Sequence, residues 1–79
     1  MFFVYILKNN LNKIYIGQTN NLEDRLRRHN SGLMKATKSG KPWKIIYSEQ
    51  FNTRAESMGR EKSLKGGQGR EWIIKNLIS

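Results

Sequence analysis

Phe3-Val4-Tyr5-Ile6-Leu7, then Ile14-Tyr15-Ile16-Gly17, then Asn21-Leu22-Glu23-Asp24-Arg25-Leu26-Arg27-Arg28-His29-Asn30: this stretch decides how the chain folds. Aromatic and β-branched residues fill the two short runs, which suits strands. Lys8-Asn9-Asn10-Leu11-Asn12 between them is a turn-forming cluster, so the runs form a hairpin. Strand one is expected over about Phe2 to Leu7 and strand two over about Lys13 to Gly17. Alternation along a strand puts Tyr5 on one face with Phe3 and Leu7, and Tyr15 on one face with Lys13 and Gly17. Gly17 leaves the backbone room to approach a neighbour or a ligand.

The third segment reads as a helix beginning at Asn20 or Asn21, with Glu23 or Asp24 placed to complete a capping box. Leu22, Leu26, His29 and Leu33 recur at helical spacing and mark its inner stripe. Arg25 and His29, four residues apart, are neighbours on one flank. Asn30-Ser31-Gly32 ends the helix. Lys35 to Pro42 is a polar, basic loop, and strand three follows over about Trp43 to Glu49. Thr53-Arg54-Ala55-Glu56 is a second capping box, opening helix two over about residues 54 to 65. Gly66, Gly67 and Gly69 break the chain before a third helix over about Arg70 to Leu77. The order is ββαβαα: an α+β fold with a small three-stranded, mainly antiparallel sheet flanked by three helices.

Seventy-nine residues make one domain, residues 1–79, with one core. There is no cysteine, hence no disulfide and no thiolate metal site, which suits a reducing cytoplasm. The apolar start stops at Lys8 and lacks a basic leader, so it reads as a strand and not a signal peptide. No run approaches the ~18 apolar residues that span a bilayer. Fifteen Lys and Arg against six Asp and Glu give a net charge of +9. The usual partner of such a field is nucleic acid or an anionic membrane. The charges are spread over the chain and no long basic amphipathic helix dominates, which favours nucleic acid.

On helix two, Ala55, Met58 and Leu64 define an apolar arc, and Glu61 falls inside it. An inward carboxylate is costly unless it meets a cation. One reading is a salt bridge to one of the many basic residues. The other is a single Mg²⁺ or Mn²⁺, which keeps most of its waters and needs only one or two protein carboxylates. Arg25 has the donors to clamp a phosphate and offset the charge that grows on it, and His29 titrates near neutrality. Tyr5 and Tyr15 either pack in the sheet or contact the phosphate and the attacking water; with a pKa near ~10, a tyrosine needs nearby positive charge to act as a base. Arg27 and Arg28 read first as solvated. Arg28 joins Lys13, Lys35, Lys38, Lys41 and Lys65 as candidates for tracking a nucleic-acid backbone.

Together these residues resemble the GIY-YIG nuclease superfamily, and in particular its small stand-alone bacterial members. The second half of that name stands intact as Tyr15-Ile16-Gly17, and Gly17 to Leu22 with Arg25 and His29-Asn30 is similar to the family's first-helix motif. Helix two, with Ala55, Glu61, Lys62 and Lys65, is similar to the segment that bears the family's metal-binding glutamate. The resemblance implies one divalent metal at Glu61, transition-state stabilisation by Arg25, water activation involving Tyr15, a lining role for Tyr5 and assistance from His29. Two departures stand out: the first motif reads Phe3-Val4-Tyr5, and Gln18 occupies a position where some members place a lysine, a loss for which Lys13 is placed to compensate.

The expected function is therefore metal-dependent, structure-specific or low-specificity cleavage of DNA in repair, recombination or defence, with a protein partner as one possible source of specificity. The rival is a non-catalytic nucleic-acid-binding module that keeps the fold and the basic face. An RNA- or ribosome-bound basic protein would need only the charge. Retention of Tyr15, Arg25, His29 and Glu61 together favours the enzyme.

Overall fold

The computed structural model describes residues 1–78. The elements are β1 (Phe2–Lys8), β2 (Ile14–Thr19), α1 (Leu22–Ser31), β3 (Lys44–Phe51), α2 (Arg54–Lys65) and α3 (Gly67–Ile73), which runs on into a π-helical turn, Ile74–Ile78. The order is the expected ββαβαα. The sheet order is β2-β1-β3, and both pairings are antiparallel, so the sheet is wholly and not just mainly antiparallel.

The β1–β2 turn is held by Asn9, whose side-chain oxygen accepts from the amides of Leu11 (3.0 Å) and Lys13 (2.9 Å). Asn12 supplies the left-handed residue at φ 62°, a conformation asparagine tolerates better than most. The resulting register places Tyr5 opposite Gly17 and Leu7 opposite Tyr15. All four therefore share one face of the sheet.

β1 is the central strand, and Val4 to Leu7 are all buried. Its two faces feed two clusters. Val4, Ile6 and Ile16 pack with Leu64 of α2 and Ile73 of α3. Tyr5 and Leu7 pack with Trp43, and Tyr15, Leu22, Leu26 and Ile45 close around them. Helix α1 thus covers one face and α2 with α3 the other. Such layering buries a small sheet on both sides.

The caps follow the sequence with one difference. Asn21 caps α1 by accepting from the amide of Asp24, and Gly32 ends that helix at φ 83°. The reciprocal half of the expected capping box is not used, because the Asp24 carboxylate pairs with Arg28 (3.0 Å) and Arg27 (3.6 Å). On α2 the box is complete between Thr53 and Glu56.

Three expectations are corrected. Leu33 lies past the end of α1 and is 78 % exposed, so the inner stripe stops at His29. On α2, Ala55 and Met58 face solvent; Ser57 and Leu64 are the buried positions, and Glu61 is half-buried between them on the i, i+4, i+7 stripe. Gly67 and Gly69 do not break the chain but lie inside α3. A side chain at Gly69 would stand 2.5 Å from backbone atoms of Ser63 and Leu64, so its bareness lets α3 fold back onto the end of α2.

Candidate active site

Tyr5 on β1 and His29 on α1 meet in the layer between sheet and helix. The Tyr5 hydroxyl lies 2.9 Å from His29 Nε2, and His29 Nδ1 lies 2.7 Å from the hydroxyl of Thr37. His29 is 0 % exposed and Thr37 1 %. Hydroxyls can donate or accept, so both ring nitrogens are satisfied without a charge on the ring. Thr37 is fixed in turn: its carbonyl accepts from Trp43 Nε1 at 2.9 Å. Asn30, next to His29, exchanges two hydrogen bonds with the Trp43 backbone, at 2.6 and 3.0 Å.

Tyr15 completes an aromatic trio. Its ring centroid is 4.8 Å from that of His29 and 6.4 Å from that of Tyr5. Gly17 makes the arrangement possible, because a Cβ there would lie 2.5 Å from the Tyr5 hydroxyl and 3.1 Å from the Tyr15 ring. The neighbour for which Gly17 leaves room is the Tyr5 phenol.

Charge converges on the trio from two helices. Burial raises the Tyr5 pKa above its ordinary value; the Tyr15 phenol and the Glu61 carboxylate add to this, and Arg25 opposes them. His29 is pushed below its ordinary value, first by burial and then by Arg25. Arg25 of α1 and Glu61 of α2 therefore both act on the Tyr5 phenol. The structure brings Tyr5, Tyr15 and His29 into contact, and the charges of Arg25 and Glu61 are felt at the Tyr5 phenol. Both shifts favour the uncharged form, of the Tyr5 phenol and of the His29 imidazole alike.

The three clustered arginines separate cleanly. Arg27 and Arg28 pair with Asp24, whereas Arg25 forms no ion pair among the described residues. The acids separate too. Glu49 is taken by Arg60 (2.9 Å) and by the Tyr47 hydroxyl (2.6 Å) away from this site, and Glu56 is spent on its helix cap. Glu61 is the carboxylate that acts on Tyr5. Lys65 Nζ engages one of its oxygens, Oε2, at 2.9 Å. With the lysine side chain 54 % exposed, this i, i+4 pair contributes only about 0.5 kcal/mol. So weak a contact leaves the Glu61 carboxylate available to a divalent ion.

Among the described residues no three His, Cys, Asp or Glu cluster to form a ready-made metal cage. The donor present is a single hard oxygen ligand, which fits Mg²⁺ or Mn²⁺ completed by water and phosphate, and does not fit zinc. The remaining candidates surround the site. Lys13 lies beside Tyr15 in the walls of two surface clefts. Lys35, Lys38 and Lys41 are exposed on the loop that Thr37 ties to His29. Arg28, although paired with Asp24, keeps a side chain 56 % exposed.

Thr37 was not singled out in the sequence, where it sits among lysines in a loop that reads as solvated. Only its contact with a histidine eight residues earlier marks it. Gln18, at the position of the missing lysine, lies 3.4 Å from the Ser57 hydroxyl and so links β2 to α2.

Residues 1–75 match the family model of the GIY-YIG catalytic domain, and the chain belongs to that family, one of nucleases. It is similar to a UPF0213 protein of Staphylococcus haemolyticus, 41 % identical over 64 residues that cover 80 % of this chain and 78 % of that one. A UPF0213 protein of Clostridium perfringens is 42 % identical over 66 residues, covering 82 % and 71 % of the two chains. The solution NMR structure of a UPF0213 protein from Bacillus halodurans superposes with a TM-score of 0.56 at 26 % identity, over 95 % of this chain and 84 % of that one. Among the described residues no helix is long and apolar enough to cross a membrane.

Proposed function

We propose that the chain is a divalent-metal-dependent DNA endonuclease of a single domain, acting in the cytoplasm in DNA repair, recombination or defence. The observation that carries this reading is that Tyr5, Tyr15 and His29 form one cluster, with the charges of Arg25 and Glu61, from different helices, acting on its Tyr5 phenol. A structural salt bridge would not require that meeting place.

The geometry supports one set of roles. Glu61 would hold the Mg²⁺ or Mn²⁺. The metal, when bound, supplies positive charge at the phosphate oxygens. Arg25, without an acid partner among the described residues, donates to the phosphate as charge builds on it. Tyr15 is half-buried where Tyr5 is buried, and so meets the attacking water. Water attacks phosphorus, a P–O bond forms, and the P–O bond to the leaving strand end breaks. Tyr5 keeps its proton and serves as a fixed hydrogen-bonding wall. His29 and Thr37 set its direction. Lys13, Arg28, Lys35, Lys38, Lys41 and Lys65 hold the flanking backbone, which carries no sequence code.

Supercoiled plasmid incubated with the protein and Mg²⁺ tests the proposal. Nicked circles should accumulate with metal and not with chelator, and Glu61→Ala should abolish them while retaining DNA. Plasmid retained but never nicked, with Mg²⁺ or Mn²⁺, would leave the non-catalytic binding module instead.

A further inference from the structure

Beside Tyr15, the outer edge of β2 opens into a groove of about 630 Å³ between that strand and the C-terminal helix. Its size falls in the range of small-molecule clefts, roughly 300–1,000 Å³. Ile14 and Ile74 contribute apolar surface, and Lys13, Lys65 and Arg70 contribute cations. No acid lines it among the described residues. Ile74 is 56 % exposed, an apolar side chain of the last turn left facing water.

The lining specifies an occupant that is flat and apolar in one part and anionic in another. A backbone alone would leave the isoleucines unused. An aliphatic ligand would leave Lys13 and Arg70 without a counter-charge. A nucleotide satisfies both, its base against Ile14 and Ile74 and its phosphates toward the cations. In a duplex the base faces are stacked and hidden, so the nucleotide must be unpaired. An added peptide strand is the other way to use a sheet edge. Lysines along an edge oppose strand addition, and this one carries Lys13.

Position strengthens the match. The groove shares Tyr15 with the site above, and Lys65 of its lining is the residue that pairs with Glu61 at 2.9 Å. A strand with its reacting phosphate at Tyr15 and Glu61 has its neighbouring nucleotide at the groove. Resting on the nuclease reading, we infer that this groove is a subsite for an unpaired nucleotide adjoining the cut. The chain then acts on single-stranded or frayed DNA in preference to intact duplex.

Binding without cleavage tests this. The full chain is titrated, in chelator, against a fluorescent single-stranded oligonucleotide, the same strand annealed to its complement, and the strand carrying abasic sites, with anisotropy as the readout. The intact single strand should bind tightest. Ile74→Gln removes apolar contact without changing charge and should weaken that binding about fivefold, the effect of losing roughly 1 kcal/mol of base contact. Duplex binding should change less than about twofold. On the unaltered protein, the abasic strand should show a similar fivefold loss, a result independent of how the variant folds. An abasic strand bound as tightly as the intact one, or equal losses on strand and duplex, would overturn the proposal. So would a poly-glutamate peptide that binds more tightly than the oligonucleotide and loses affinity in Ile74→Gln, which would assign the groove to an acidic polypeptide. Because no cleavage is read, these affinities stand or fall separately from plasmid nicking.

Discussion

The Tyr5 hydroxyl and the Nε2 atom of His29, 24 residues apart in the chain, lie 2.9 Å from each other in the buried layer between β1 and α1. This bond fixes the phenol on which the charges of Arg25 and Glu61 act. It also fixes the ionisation of the imidazole, because a ring held between two hydroxyls needs no charge and burial penalises one.

The first prediction concerns pH. Burial and Arg25 hold the His29 pKa below its ordinary value near ~6.5. Unfolded chains therefore take up a proton at a higher pH than folded ones do. Stability from this source is fully present above about pH 6.5 and is lost as pH falls toward the native value. Urea midpoints should stay level between pH 8 and pH 7 and decline below about pH 6.5, before most carboxylates titrate. His29→Gln should be less stable throughout but lack that decline. A decline of the same size in the variant would show that another group is responsible.

Gly17→Ala should damage the site more than any distant alanine. The new Cβ would press on the Tyr5 hydroxyl at 2.5 Å, and the buried ring has no easy escape. The cost is expected at about 1–3 kcal/mol in chemical denaturation, with displacement of Tyr5 from His29. DNA retention at low salt should survive, since no cation moves, while plasmid nicking falls by at least about tenfold. A variant as stable and as active as the parent would show that the strand accommodates the methyl.

Lys65 provides a separate test of the metal assignment. The Glu61–Lys65 pair is exposed on the lysine side, so Lys65→Ala should change stability by no more than about 0.5 kcal/mol. Removing the competing ammonium should lower the Mg²⁺ concentration needed for half-maximal nicking, measured at saturating DNA. If more Mg²⁺ were needed, the lysine would be an aid to the site and not a competitor.

Thr37 is predicted to act through His29. Thr37→Ser keeps the hydroxyl and should retain most of the activity. Thr37→Val keeps the shape but leaves His29 Nδ1 buried without a partner, at about 1–3 kcal/mol in stability. The signature of positioning is a larger fall in kcat than rise in KM in the valine variant, with recovery in the serine variant. Equal losses in both would reduce Thr37 to a packing residue.

Much of the fold was legible because its signals are local. Aromatic and β-branched runs around an asparagine-rich turn, the Asn21 cap and the Thr53–Glu56 box each depend on residues within a few positions, and each stands where expected. Errors arose where periodicity alone had to choose a face. Ala55 and Met58 are apolar yet exposed, because the i, i+4, i+7 stripe that meets the sheet carries Ser57, Glu61 and Leu64. The glycines after α2 resemble a break, but Gly69 is small because a Cβ there would stand 2.5 Å from the backbone of Ser63 and Leu64, which no local rule reveals.

The sequence by itself determined which groups are present: three phenols, one imidazole, two acids on α2 and an excess of cations. Tertiary structure decided which of several equivalent groups meet. Among the described residues Arg25 and not Arg27 or Arg28 is left without an acid, Glu61 and not Glu49 acts on the phenol, and a loop threonine closes on the histidine. The physical reason is range. Propensity and alternation act over a few residues, whereas burial and charge act through space, between side chains that the chain order keeps apart.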